Sequence, residues 1–521
     1  MPGNRTETHA HVASDNGLVS APTDDSAPQD GAPGGALELV GRLCEALAAE
    51  EIRYCHWKSN NALDRSASGE NDLDLLINRL DLRAFREILS RLGFKDASPP
   101  DVKAIPGVFH SYGLDHQSGR LVHIHAYVHL FLGDDMTKNY RLPVEDAYLK
   151  STEQRRVFRV PSPEFELVVF VIRMALKHST LDALLSLQGS LSARELREAH
   201  DLMGRADLEE ARSLVREHLP FLGERLWNDC LACLLHQTPW RFRIQTAHRL
   251  ERALAPYARR APSLDAALRL SRRSRLRLGR AMGRTPLRQR LDGGGALIAI
   301  VGGDGAGKST AVEELYGWLS SELMTLKVHL GRPRWSLMSS GAQRMWNLTK
   351  LGRSSPPRAR GSLPPGHTSS RGLRGSARLV RRVMVSRDRY LAYARARRFA
   401  ARGGLVITDR YPLPEITLMD GAATREMSPS QSADRLVRYL ARLESRYYGT
   451  IASPDVLLVL RVDPDVAVER KRGVDAEASV RPRAEEIWRV DWEGLQAVVI
   501  DADRPKDEVI EDAKSAIWSR L

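Results

Sequence analysis

One stretch restricts this chain more than any other. Ile298-Ala299-Ile300-Val301 is an apolar run suited to a buried parallel strand, Gly302-Gly303-Asp304-Gly305-Ala306-Gly307-Lys308-Ser309-Thr310 follows directly, and Ala311-Val312-Glu313-Glu314-Leu315 begins a helical pattern. Glycines let the loop curl and aim backbone N–H groups at phosphate oxygens, and the following helix N-terminus adds a favourable dipole. In that register Lys308 reaches the β and γ phosphates of ATP, and the Ser309 hydroxyl sits on Mg2+. A glycine-rich turn before an ordinary helix is the plain alternative. The joint placement of Gly302, Gly307, Lys308 and Ser309 argues against it.

Around this loop the residues alternate between strand and helix patterns: 296 to 301, 311 to 323, 404 to 409, 431 to 447, 455 to 462, 464 to 472, 497 to 501 and 506 to 519. Such alternation predicts an α/β domain over 291–521, with a parallel sheet and helices on both faces. Upstream the pattern changes. Residues 37–150 mix helical stretches with strands at Ile52–Trp57, Asp72–Ile77 and Leu121–Val128, which predicts a small α+β domain. Residues 151–290 carry helical periodicity with few strand signals, notably at 164–177, 193–203, 208–218 and 241–254, so a helical middle domain and a basic linker are expected. The expected fold is therefore multidomain.

Composition bounds the function classes. With 42% hydrophobic and 27% charged residues the chain reads as a globular protein, and no apolar run approaches the roughly 20 residues that span a bilayer. Residues 1–36 are polar, lack the apolar centre of a secretory signal, and predict a disordered tail. Four cysteines, Cys44, Cys55, Cys230 and Cys233, are too few for a disulfide scaffold and fit a cytoplasmic protein. Cys230 and Cys233 lie on one apolar helical face and read as core.

The net charge of +13 is unevenly placed: between Gly331 and Arg402 a long series of arginines faces a single acid, Asp388. This segment predicts contact with a polyanion. Within it, Ser354–Ser376 is a Ser/Gly/Pro/Arg-rich loop without an expected fixed structure. Arg387, Arg389, Arg395, Arg397 and Arg398 fall on an expected helix, either lining an acceptor or forming a solvated basic face.

Two further motifs narrow the chemistry. Gly404-Leu405-Val406-Ile407-Thr408-Asp409 is a buried strand ending in an acid, and Arg410 follows it. Asp409 is positioned to hold Mg2+ through its water shell, and the Arg410 guanidinium can fork onto the phosphate of an acceptor. Together with Gly303–Thr310, Asp409-Arg410-Tyr411, Val459–Arg470 and the tail Val499-Ile500-Asp501-Ala502, this region resembles the thymidylate kinase family. The resemblance implies Mg·ATP-dependent transfer of the γ-phosphoryl group to a nucleoside monophosphate. It places Asp304 at the acceptor's sugar and Arg410 at its phosphate, and it assigns Arg470, Arg472, Arg481 and Arg483 to the helix and mobile lid that close over ATP.

Two departures bear on the acceptor. Ile300-Val301 stands where that family usually has Phe-Glu, and the arginine-rich insertion exceeds its compact pattern. The arrangement is similar to thymidylate-kinase-like proteins of bacterial surface-polysaccharide clusters, whose acceptor is a phosphorylated or hydroxylated small compound.

In the first domain Asp72 and Asp74 stand two apart on one strand, hence on one face, a pattern able to hold Mg2+. With Trp57-Lys58-Ser59-Asn60 upstream, the region partly resembles polymerase-β-type nucleotidyltransferases. Lys58 replaces a glycine of that pattern, and His123-Ile124-His125 stands where a third carboxylate is expected. A turn role for Asp72 and Asp74 and a hydrogen-bonded role for the histidines remain open readings. The expected function is an ATP-dependent kinase. A nucleotidyltransferase acting through Asp72 and Asp74 and a nucleic-acid-binding ATPase are the rivals.

Overall fold

The computed structural model describes residues 35–178, 191–235, 238–282, 288–331, 373–419 and 435–521. Residues 1–34 of the tail expected over 1–36 and residues 354–372 of the 354–376 loop lie outside the described residues.

Tyr54–His56 (β1), Leu73–Ile77 (β2), Lys95–Ser98 (β3), Val108–Asp115 (β4) and Arg120–Tyr127 (β5) build most of the first sheet. Two hairpins follow, Leu130–Leu132 with Tyr140–Leu142 (β6, β7) and Glu153–Arg155 with Phe158–Val160 (β8, β9). The strand Arg290–Leu291 (β10) then returns from the linker and pairs antiparallel with β3, giving the order β1-β2-β5-β4-β3-β10.

Strand periodicity splits this sheet into two unlike faces. Leu73, Leu75, Ile77, Val122, Ile124 and Ala126 enter an apolar core shared with the helices Glu38–Ala49 and Leu82–Arg91. The alternate positions carry Asp74, His123, His125 and Tyr127, and the parallel register sets Asp74 beside His125. Phe158 and Val160 join the apolar core, so the first unit's packing continues ten residues past the expected end at 150.

The middle region folds as helices Pro163–His178, Ala193–Arg205, Leu208–His218, Gly223–Leu235, Trp240–Ala253 and Pro262–Ala281. Pro163–His178 is buried along most of its length because Phe165, Val168, Val169, Phe170 and Ile172 leave it no polar face, and neighbouring helices pack around it. The Ser192 hydroxyl and the Glu195 carboxylate reciprocally cap the next helix. Cys230 and Cys233 are buried on Gly223–Leu235, and burial raises the Cys230 thiol to about 12, as expected of an inert core group.

Leu297–Gly302 (β11), Thr325–His329 (β12), Leu405–Asp409 (β13), Val456–Arg461 (β14) and Val498–Asp501 (β15) form a second sheet in the order β12-β13-β11-β14-β15. All four of its pairings are parallel. Both faces are covered, as parallel sheets require. Ile298 and Ile300 pack toward the helices Lys308–Glu322 and Lys506–Arg520. Leu297, Ala299 and Val301 face the opposite core with Tyr393, Ala396 and Ala400 of the helix Leu373–Ala400. The expected elements are present here, with two additions. The strand β12 and the helix Glu477–Arg489 were not expected, and residues 373–376 of the anticipated loop are helical.

The two sheets share packing. Tyr112 and Leu114 of β4 belong to the same core as β11, and the Trp518 indole N–H donates to the Gly93 carbonyl at 3.1 Å. No helix among the described residues is long and apolar enough to cross a membrane.

Candidate active site

The loop after β11 lies at the carboxyl end of the second sheet, where the chain moves to β12 on one side and later to β14 on the other. Its glycines answer to contacts as well as to conformation. A Cβ on Gly302 would lie 2.4 Å from the Leu460 carbonyl oxygen, and one on Gly305 would lie 2.9 Å from the Ala467 carbonyl oxygen at φ +85°. The loop backbone is thus pressed against β14 and the helix Pro464–Arg470. Gly307, at φ +80°, is the N-cap residue of that helix.

Lys308 folds back over the loop and donates to the Gly303 carbonyl oxygen at 2.6 Å. Asp304, 8% exposed, accepts from Arg483 at 2.5 Å. Burial alone would raise the Asp304 carboxyl, but the Arg483 hydrogen bond and the Lys308 and Arg410 charges outweigh it and hold the group below its usual value. Arg483 reaches the loop from the helix Glu477–Arg489, so the expected mobile lid is helical here and its Pro482 lies inside the helix.

The other lid candidates go elsewhere. Arg481 pairs with Asp465 at 2.7 Å and Glu477 at 3.1 Å. Arg470 donates to the Ala502 carbonyl at 3.0 Å and the Gly305 carbonyl at 3.4 Å, tying the loop to the end of β15. Arg472 pairs with Glu469.

Parallel pairing sets Asp409 beside Ile300 on one side and His329 on the other. His329 meets the Asp409 carboxylate through Nδ1 at 2.6 and 2.8 Å. Ser309, Asp409, His329, Lys327, Glu313 and Arg395 line one cleft of about 660 Å³. Among these, Ser309 and Asp409 are oxygen donors from the loop helix and the neighbouring strand, a set whose chemistry fits magnesium. His329 escaped the sequence reading. Its signal was the short alternation Thr325-Leu326-Lys327-Val328-His329, masked by the helix before it and the arginines after it.

Arg410 adopts φ +50°, and its side chain crosses Gly331, where an added Cβ would lie 2.3 Å from Arg410 Cδ. The basic helix is not a uniform solvated face. Arg389 is buried and donates to the Leu330 and Gly331 carbonyls at 2.7 and 3.0 Å, while Arg397 pairs with Asp455 at 2.7 Å. Arg395 faces the cleft.

The N-terminal carboxylates are brought to one face, but each already has a partner. The Lys58 ammonium lies 2.9 Å from Asp74 Oδ1, His125 Nδ1 lies 3.3 Å from the same oxygen, and His123 Nδ1 lies 2.9 Å from Asp72. Burial would raise Asp74; the Lys58 charge and His125 hold it well below its usual value. Among the described residues no group of three His, Cys, Asp or Glu side chains is disposed to hold a metal. In this arrangement Lys58 supplies positive charge beside the Asp74 carboxylate. Ser59 adopts φ +59°, and its N–H is taken by Glu198 at 3.1 Å.

Comparisons with known proteins agree with a nucleotide-handling chain without naming its reaction. No family model matches it. It is 27% identical over 227 residues to the uncharacterized ATP-binding protein YghR of Escherichia coli K12, covering 42% of this chain and 86% of that protein. It is 26% identical over 240 residues to the uncharacterized ATP-binding protein YghS of the same strain, covering 43% and 93% respectively.

Proposed function

We propose that this chain is an ATP-dependent phosphotransferase of thymidylate-kinase-like type, passing the γ-phosphoryl group to a nucleoside monophosphate or a related small acceptor. The observation that carries the reading is the loop itself: a glycine cradle at the carboxyl end of a parallel sheet, with Lys308 over it and Ser309 and Asp409 lining one cleft. The names of the ATP-binding relatives support ATP as the donor.

The loop N–H groups and the N-terminus of Lys308–Glu322 bind the β and γ phosphates. Lys308 exchanges a neutral carbonyl for a phosphate oxygen, a stronger, charge-assisted bond. Ser309 and Asp409 would hold a magnesium ion, whose charge offsets that of the β and γ oxygens. His329 orients the Asp409 carboxylate. An acceptor oxygen then bonds to the γ phosphorus as the bond to the β–γ bridging oxygen breaks and ADP leaves. Arg410 and the Asp304–Arg483 pair stand on the acceptor side, the pair holding its carboxylate ready to accept from a sugar hydroxyl.

The test is ADP release over a panel of nucleoside monophosphates, sugars and sugar phosphates, with Lys308→Ala as control. Acceptor-dependent ADP release lost in that variant is expected. If no acceptor stimulates release, or the variant matches the wild type, the assignment fails.

A further inference from the structure

The polar face of the first sheet opens into a second cleft, of about 430 Å³, within the range of small-molecule sites. It carries a ladder of rings. Tyr112 stacks on His123 at 4.4 Å between centroids, and His110 stacks on His125 at 4.4 Å. Tyr127 follows His125 at 4.6 Å. Apolar side chains would stabilise such positions more cheaply if a layer of protein covered them. The opposite face of the same strands is built that way.

The cleft is completed from outside the first sheet. Arg288 and Gln289 of the linker and Glu322, at the end of the helix Lys308–Glu322, form part of its wall. Arg288 donates to the Ser321 carbonyl, Gln289 Nε2 meets His110 Nδ1 at 3.1 Å, and the Tyr112 hydroxyl donates to Glu322 at 3.3 Å.

Two features describe what would bind. The cations Lys58 and Lys138 are matched by Asp74 and Asp135, whereas among the described residues neither Lys103 nor Arg288 pairs with a carboxylate. They approach the cleft from different segments, as an anion clamp would require. Gln289 Oε1 is buried without a hydrogen-bond partner, an acceptor suited to a ligand hydroxyl.

We propose that this cleft is a second ligand site, taking a small phosphomonoester whose phosphate lies between Lys103 and Arg288 and whose sugar hydroxyl donates to Gln289. It lies at the far end of a 15-residue helix from the phosphate loop, about 22 Å away, so its ligand is not the acceptor of the reaction proposed above. Occupancy engages Arg288 and thereby the last turn of that same helix. The inference stands whether or not the loop transfers phosphate.

The full chain carrying Lys308→Ala is titrated calorimetrically with thymidine monophosphate and with glucose 1-phosphate. At least one ester should show a binding step that Lys103→Ala and Arg288→Ala each weaken about tenfold and that Arg410→Ala leaves unchanged. The ester that binds identifies a nucleotide or a sugar phosphate as the source. Lys103 is exposed, so its variant keeps the fold. Binding of neither ester, or binding untouched by both substitutions, overturns the proposal.

Discussion

The two sheets each carry a lysine near an acid, held by different hydrogen-bond partners. Behind β11, Lys308 rests on a backbone carbonyl, a neutral acceptor that a phosphate readily displaces. Behind β2, Lys58 rests on a carboxylate between the Trp57 and Tyr127 rings, and removing it would leave Asp74 with the His125 ring and no cation from Lys58. A lysine beside an acid therefore does not by itself mark a catalytic site. What it rests on before a ligand arrives decides whether it can be recruited.

The largest expected effect lies on the recruitable lysine. Lys308→Ala should lower acceptor-dependent ADP release by about 10²–10³-fold, the usual cost of removing one preorganised donor, with an unchanged melting curve. A drop in melting temperature would instead give Lys308 a structural part. Asp74→Asn breaks the comparison from the other side. It strands the Lys58 ammonium in a half-buried site and should cost about 3 kcal/mol in denaturant unfolding. A neutral result would show that Lys58 swings to solvent once Asp74 loses its charge.

Arg483→Ala and Arg481→Ala sharpen the contrast within the C-terminal region. The first removes the partner of Asp304 and should reduce kcat/KM about tenfold; the second loses exposed ion pairs and should change it less than about twofold. Equal losses would mean that the helix moves both arginines onto the nucleotide during turnover.

The phosphate loop, the parallel sheet and the helical middle were legible because each rests on local pattern: glycine spacing, apolar runs and helical periodicity. Strand β4 was not. Gly113 reads as a breaker, yet a Cβ there would lie 2.7 Å from the Phe94 ring and 2.8 Å from Leu39, so close packing requires it. With β4 unseen, His110 and Tyr112 could not be placed beside His125 and His123. The pairing of β10 with β3 was equally invisible, since two residues in a linker carry no periodicity. Arg481 and Arg483 differ by two positions around a proline, and only the helix that contains them determines which one meets Asp304.

The last prediction concerns what holds the Lys58 loop in place. Glu166 is buried beneath it and accepts from the Asn60 N–H at 3.4 Å. Burial, the dominant cause, raises its carboxyl from 4.5 to about 7, against the opposing Asn60 hydrogen bond. A raised folded value means that the native state keeps a proton the unfolded chain has released. The contribution is therefore complete below about pH 4.5 and is lost as pH rises through about 7. Glu166→Gln keeps the shape and removes the titration. The variant should gain about 2–3 kcal/mol relative to wild type between pH 5 and pH 8 in denaturant unfolding. Parallel pH profiles for the two proteins would mean that Glu166 stays charged under the loop, with Arg205, 3.6 Å away, as its working partner.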